Sequence, residues 1–264
     1  MKTLCLEVLT SEGIVVCSNQ CEEEVGVLCN REYEEGDHIK ISSSKYPAYV
    51  AIQVDEALGE ALVYMTGEIK YYIPVKEKRG SYSPKTFCGN LHLITARGAT
   101  KEEIYAYRNL AKNVMDQHEN LSSYPHALAN VETRGEAVFA ARNAIDGVKM
   151  NLSHGEWPYQ SWGINRQDDA QFTLDFGRTV VVNKLVLYTR ADFPHDNWWR
   201  QVTVSFSDGT SLVWYMEKSA LPHVKVIADK EITQLSLSDL IKADDPSPFP
   251  ALTQIEVYGV EKQD

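Results

Sequence analysis

The sequence predicts an all-β chain, with two antiparallel β-sandwiches joined by one α-helix. Two observations carry this. Segments that alternate apolar and polar residues, each bounded by turn residues, recur through both halves. One stretch, just after residue 99, instead spaces its apolar residues as a helix does. The expected units are a β-sandwich over residues 1–98, a connecting helix over 99–120 and a second sandwich over 121–264.

In the first half, Tyr49-Val-Ala-Ile-Gln-Val-Asp55 reads as a strand, followed at short spacing by Ala61–Met65, Ile69–Pro74 and Leu91–Ala96. Thr100 then caps an expected helix over Lys101–His118, with Glu103 completing a capping box. Ile104, Tyr107, Leu110, Ala111 and Val114 give that helix one apolar face, suited to packing on the sandwiches as a connector. The second half repeats the strand scheme in Ala170–Phe176, Lys184–Arg190, Gln201–Phe206, Ser211–Tyr215 and Thr253–Gly259. Ser207-Asp-Gly-Thr210 is a hairpin signal between two of these. Asp146-Gly147 and Asp245-Pro-Ser-Pro-Phe-Pro250 mark loops. In each half a strand ending in an acidic residue (Asp55, Asp175) precedes one ending in Tyr (Tyr64, Tyr188), as two related sandwiches would have it.

Composition narrows the classes. Hydrophobic residues make up 44% and charged residues 24% of 264, ordinary usage for a folded chain. The net charge of −11, spread along the sequence, repels phosphate backbones and argues against nucleic acid as a partner. No apolar run approaches the roughly 18–20 residues that span a bilayer. Glu7 interrupts the opening Met-Lys-Thr-Leu-Cys-Leu before a long apolar core develops, so a signal peptide is not expected. As written the chain reads as cytoplasmic, or as extracellular if a leader has been removed. Its five cysteines, at 5, 17, 21, 29 and 88, are odd in number and lack a zinc spacing, which favours reduced thiols.

The second half resembles a known family. The residues that carry the resemblance are, in order, Ala141-Arg-Asn-Ala-Ile-Asp-Gly147, Trp162, Asp169-Ala-Gln-Phe-Thr-Leu-Asp-Phe-Gly-Arg178, Val182-Asn-Lys-Leu-Val-Leu-Tyr188 and Ile255-Glu-Val-Tyr-Gly259. This ordered string is similar to the discoidin, or coagulation-factor type C, superfamily, and within it to the family 32 carbohydrate-binding modules. The resemblance implies a galactose-binding-like jelly roll with binding loops at one end, a carbohydrate partner and, often, one structural calcium. The first half carries only the generic strand pattern.

Three segments hold the candidate chemistry. His154-Gly-Glu-Trp157-Pro-Tyr159-Gln-Ser-Trp162 sets rings beside polar groups, and a sugar needs both: C–H faces stack on rings while hydroxyls need directional partners. Trp162 matches the core Trp of the resemblance, whereas Trp157 reads equally as a core anchor or a stacking platform. Arg190-Ala-Asp192-Phe-Pro-His195-Asp196-Asn-Trp198-Trp199-Arg200 crowds charges, an imidazole and two indoles directly after a strand. Such a set is costly to desolvate unless paired or used. Arg190, Asp192, His195, Asp196, Trp198 and Trp199 are therefore expected to bind ligand with His154, Trp157 and Tyr159; the alternative is an ion-pair network, Arg190 with Asp192 or Asp196 with Arg200, that stiffens the loop. The third segment is the Asp146-Gly147 turn. Its carboxylate and the carbonyls around Arg142 and Lys149 could supply hard oxygens to calcium. By the resemblance, Glu256 on the last strand completes that shell.

The function expected from these residues is recognition of a monosaccharide or short glycan, with calcium as a staple. Two rivals remain at this level. One is a glycan-active enzyme using His154 or His195 with Glu156, Asp192 or Asp196. The other is a protein-interaction module.

Overall fold

The computed structural model describes residues 2–192 and 195–263. Its first half contains β1 (Thr3–Leu9), β2 (Val15–Glu22), β3 (Glu24–Cys29), β4 (His38–Ser43), β5 (Ala48–Gln53), β6 (Ala61–Met65), β7 (Ile69–Tyr72) and β8 (His92–Gly98). A short helix α1 (Lys101–Tyr105) follows, then β9 (Arg108–Asn109), β10 (Ser123–Tyr124), β11 (His126–Ala129) and β12 (Trp162–Gly163). The chain ends in the long strands β13 (Phe172–Thr189), β14 (Trp199–Phe206), β15 (Ser211–Tyr215), β16 (His223–Lys242) and β17 (Ala251–Glu261). The fold is all-β, and its pairings are antiparallel.

Sheets β2-β1-β4-β7 and β10-β6-β5-β8-β3 enclose the first core. Alternation does the work in β1, where Leu4, Leu6 and Val8 point inward between the half-buried Thr3, Cys5 and Glu7; Val50 and Ile52 of β5 enter the same core. Four of these strands lie before residue 49, where the sequence reading placed none.

The second sandwich is built differently, because β13 and β16 run through both of its layers. Val180–Leu187 of β13 pairs with both β16 and β17, whereas Phe172–Asp175 pairs with β11 and the far end of β16. The register breaks between Asp175 and Val180, at Gly177, whose φ is +66°. A Cβ at Gly177 would lie 2.3 Å from the ring of Tyr124, so both the conformation and the close approach require glycine. Trp162, Phe172, Phe176 and Trp199 fill the core that results.

The connector departs from expectation. Thr100 and Glu103 form the capping box, but the helix stops at Tyr105 instead of reaching His118. Arg108–Asn109 extends to pair with Tyr258–Gly259, and the Leu110 amide donates to the Val257 carbonyl at 2.7 Å. The apolar spacing serves two cores rather than one helix face. Leu110 and Ala111 enter the second core, while Val114 and Met115 enter the first. The boundary is thus interleaved, and Ser123–Tyr124 still pairs with β6 of the first sandwich.

Candidate functional site

At one rim of the second sandwich, several loops converge on a cavity of about 480 Å³. The turn at 133–135 supplies Thr133 and Arg134, and the segment after β12 supplies Ile164, Asn165 and Arg166. Histidines 154 and 195 also line it, and Ser247-Pro-Phe-Pro250 adds a wall that adjoins His195. Gly163 makes room for it. A Cβ there would meet Thr133 Oγ1 at 2.6 Å and Phe139 at 3.3 Å.

His195 is the best-positioned polar group. It is 6% exposed, held by a backbone bridge to Asp192, and its Nδ1 lies 3.0 Å from the Phe249 carbonyl. A carbonyl only accepts, so the proton sits on Nδ1 and Nε2 is left as an acceptor. Burial, and then the Arg190 cation, hold the imidazole below its ordinary pKa, so it is neutral at pH 7. Its Nε2 has no hydrogen-bond partner among the described residues, a costly state for a buried nitrogen. The exposed His154 ring lies 5.1 Å from it, and Tyr159 stands edge-on to His154 at 6.2 Å.

No family model matches the sequence, and no curated protein matches it. Solved structures do. The chain is similar to solved carbohydrate-binding modules. A chitosan-binding module of a chitosanase/glucanase from Paenibacillus sp. IK-5 is 18% identical, with 58% of this chain and 100% of that one covered, at a TM-score of 0.41. The lectin domain of lectinolysin, complexed with Lewis B antigen, is 18% identical over 57% of this chain and 96% of its own, at 0.43. A family 32 module of C. perfringens NanJ, in complex with galactose, is 16% identical over 50% and 91%, at 0.37.

The remaining expected ligand residues divide. Arg190 is fully buried. Its guanidinium forks onto Asp192 at 3.1 and 3.2 Å and donates to the Tyr159 carbonyl at 2.6 Å. The ion-pair alternative therefore describes it: each of its three nitrogens already donates to Asp192 or Tyr159. It positions the two loops that carry His154 and His195. Trp199, expected at the ligand, is 1% exposed and packs on Trp162 at 6.2 Å, so it is core and offers no free face. Trp198 is half-buried against the same core. Trp157 and Asp196 are half-buried and, like Tyr159, are not among the residues lining the cavity.

The sequence reading missed Thr133, Arg134, Phe139, Asn165, Arg166 and Phe249. Phe249, between two prolines, was visible only as part of a loop. Arg134, Asn165 and Arg166 all have positive φ (54°, 48° and 63°), which neither Gly nor a turn motif announces at those positions.

The expected calcium residues do not fit that ion. Asp146 accepts from the Val148 amide at 2.7 Å and from Gln160 Nε2 at 2.9 Å, and Arg142 and Lys112 supply nearby positive charge. Lys149 Nζ lies 2.5 Å from Glu256 Oε1, and the Tyr188 and Tyr258 hydroxyls reach Oε2. Cations of the chain itself thus serve both carboxylates. Among the described residues no group of three or more His, Cys, Asp or Glu side chains could hold a metal ion. The buried Arg142 guanidinium caps the Asp116 and Val114 carbonyls and covers the Tyr82 ring at 4.4 Å.

Proposed function

We propose that this protein is a carbohydrate-binding protein that takes a monosaccharide or short glycan in the cavity beside His195. The observation that carries this reading is the Nε2 of His195, unpartnered among the described residues, a fixed acceptor in a cavity whose apolar walls are Phe139, Ile164, Phe249 and two prolines. Sugars bring what such a wall lacks: hydroxyl donors for the imidazole, and C–H faces for the rings. The cavity volume lies within the range of small-molecule sites, about 300–1,000 Å³. The resemblance of the ordered motifs from Ala141 to Gly259 supports the same ligand class.

Catalysis draws no support from this site. Hydrolysis of a glycosidic bond ordinarily needs two carboxylates flanking it, and no Asp or Glu lines the cavity among the described residues. Glu156 is exposed, and Asp192 is engaged by Arg190.

Calorimetric titration of the full chain with a sugar panel tests the reading. Saturable binding on the order of 0.1–1 mM is expected for one small site with few anchors. His195→Ala is expected to weaken it by about 1–3 kcal/mol, the range for losing a buried polar partner. Sugars recovered after long incubation are expected to be intact. A panel in which nothing saturates, or an unchanged affinity in His195→Ala, rejects the site.

A further inference from the structure

We infer that the preferred ligand of this cavity is an anionic sugar, carrying a carboxylate or a sulfate beside its hydroxyls. The inference rests on the glycan reading and adds the charge of the ligand to it.

The charge distribution is the first ground. The chain carries 37 acidic residues against 26 basic ones. Yet the described lining of this cavity contains two arginines and no carboxylate. The cavity is a local reversal of the molecule's charge, and low-dielectric walls such as Phe139 and Phe249 strengthen a field of that kind. The other large cavity differs, because Glu35, Glu77, Glu119 and Glu132 line it beside its cations.

The second ground is how the arginines are held. Arg134 is engaged, forked by Glu136 at 2.6 and 2.8 Å. Arg166 is not: it has no hydrogen bond or ion pair among the described residues. Its guanidinium instead lies over the Phe249 ring, 4.5 Å from the centroid. A cation–π contact of this kind holds the guanidinium beside the ring without using its N–H groups, which can then donate to the oxygens of an anion.

Backbone strain is the third. Seven described non-glycine residues have positive φ, and three of them, Arg134, Asn165 and Arg166, line this cavity. An arginine in that region costs about 1 kcal/mol or more and persists where the surroundings enforce it. Here the two consecutive left-handed residues turn the chain so that Arg166 reaches Phe249. A neutral sugar needs no such free guanidinium, and an amino sugar would be repelled by it.

The test is titration of the full chain at low salt with a short uronic-acid oligomer and its neutral analogue. A sulfated monosaccharide, a glucosamine oligomer and inorganic sulfate complete the set. The uronide is expected to bind at least about tenfold tighter than its neutral analogue. That preference should shrink as salt is raised, since exposed charges are screened. Arg166→Gln should cut the anionic-to-neutral preference by about tenfold, the worth of one charge-assisted contact, and Arg166→Lys should restore part of it. Arg166 is exposed, so both variants are expected to melt as the parent does. Neutral sugar bound as well as or better than the uronide overturns the inference and leaves the glycan reading standing. So does an unchanged preference in Arg166→Gln. If no sugar binds, both fall. Inorganic sulfate binding as tightly as the uronide supports the anion preference and overturns the glycan reading.

Discussion

Asp146 illustrates how far a single buried group can move away from the role its sequence context suggests. It sits in the Asp-Gly turn that reads as a calcium loop, but burial dominates its chemistry. Desolvation pushes its carboxyl up to about 6 from 3.8, although Arg142, Gln160 and the Val148 amide pull the other way. Between those two values the folded chain holds a proton that the unfolded chain has released. Its contribution to stability is therefore fully present below about pH 3.8 and is lost as pH rises through about 6. At about 1.36 kcal/mol per unit, the loss is on the order of 3 kcal/mol. Urea unfolding of the parent and of Asp146→Asn at pH 4, 5, 6 and 7 isolates this term. The variant should gain on the parent as pH rises through the window, and a constant difference at all four values would reject the raised carboxyl. His195 has the opposite sense, since burial and Arg190 depress it and keep its lone pair available at neutral pH.

At the scale of elements, what alternates was legible and what bends was not. Strands such as Ala61–Met65 and Phe172–Phe176 announce themselves because buried residues alternate with more exposed ones. β16 did not, because in its first half, His223–Asp229, no side chain is fully buried and only the partly buried Ile227 packs on the core. The helix expected over Lys101–His118 failed for a related reason. Periodic apolar residues report that something is buried, not that it is buried in one place, and here Leu110 and Val114 go to different cores. The cavity was half legible. His154 and His195 stood out by their company, whereas Arg166 and Phe249 meet only through a backbone turn that no local motif encodes. The same scale bears on the metal question. The loop after the 3-10 turn Ala141–Ile145 is stapled to β17 by Lys149 on Glu256 and by the Gln254 side chain, which accepts from the Gly147 amide at 3.1 Å. An ammonium already neutralises Glu256, so excess chelator is expected to leave the melting temperature of the full chain unchanged. Lys149→Met, which strands that carboxylate, should lower it by an amount corresponding to about 1–3 kcal/mol. A chelator-induced drop that added calcium reverses would instead restore the calcium shell.

Across the whole molecule the two sandwiches meet over charges that neither could bury alone. Glu261, at the end of β17, is 2% exposed and receives Arg178 Nε at 3.0 Å, Arg108 Nη2 at 3.0 Å and the Tyr49 hydroxyl at 2.9 Å. Tyr49 belongs to the first sandwich and Arg178 to the second, and the Arg178 guanidinium also lies over the Tyr49 and Tyr64 rings, at 5.6 and 5.3 Å. Removing the carboxylate leaves two largely buried guanidiniums facing each other without a counter-charge, and breaking a pair of this kind costs about 3–5 kcal/mol. The cost falls on the contact between the units more than on either core, since the side chains that fill each core are apolar and lie elsewhere. Glu261→Gln is therefore expected to do more than lower stability. Scanning calorimetry is expected to show one transition for the parent and two for the variant, as the sandwiches lose their coupling and melt separately. The sugar affinity of the folded variant should be retained, because the cavity beside His195 is lined by residues of the second sandwich alone. One sharp transition at an unchanged temperature in Glu261→Gln would mean that the interleaved segment 108–124, and not the buried charges, holds the two halves together.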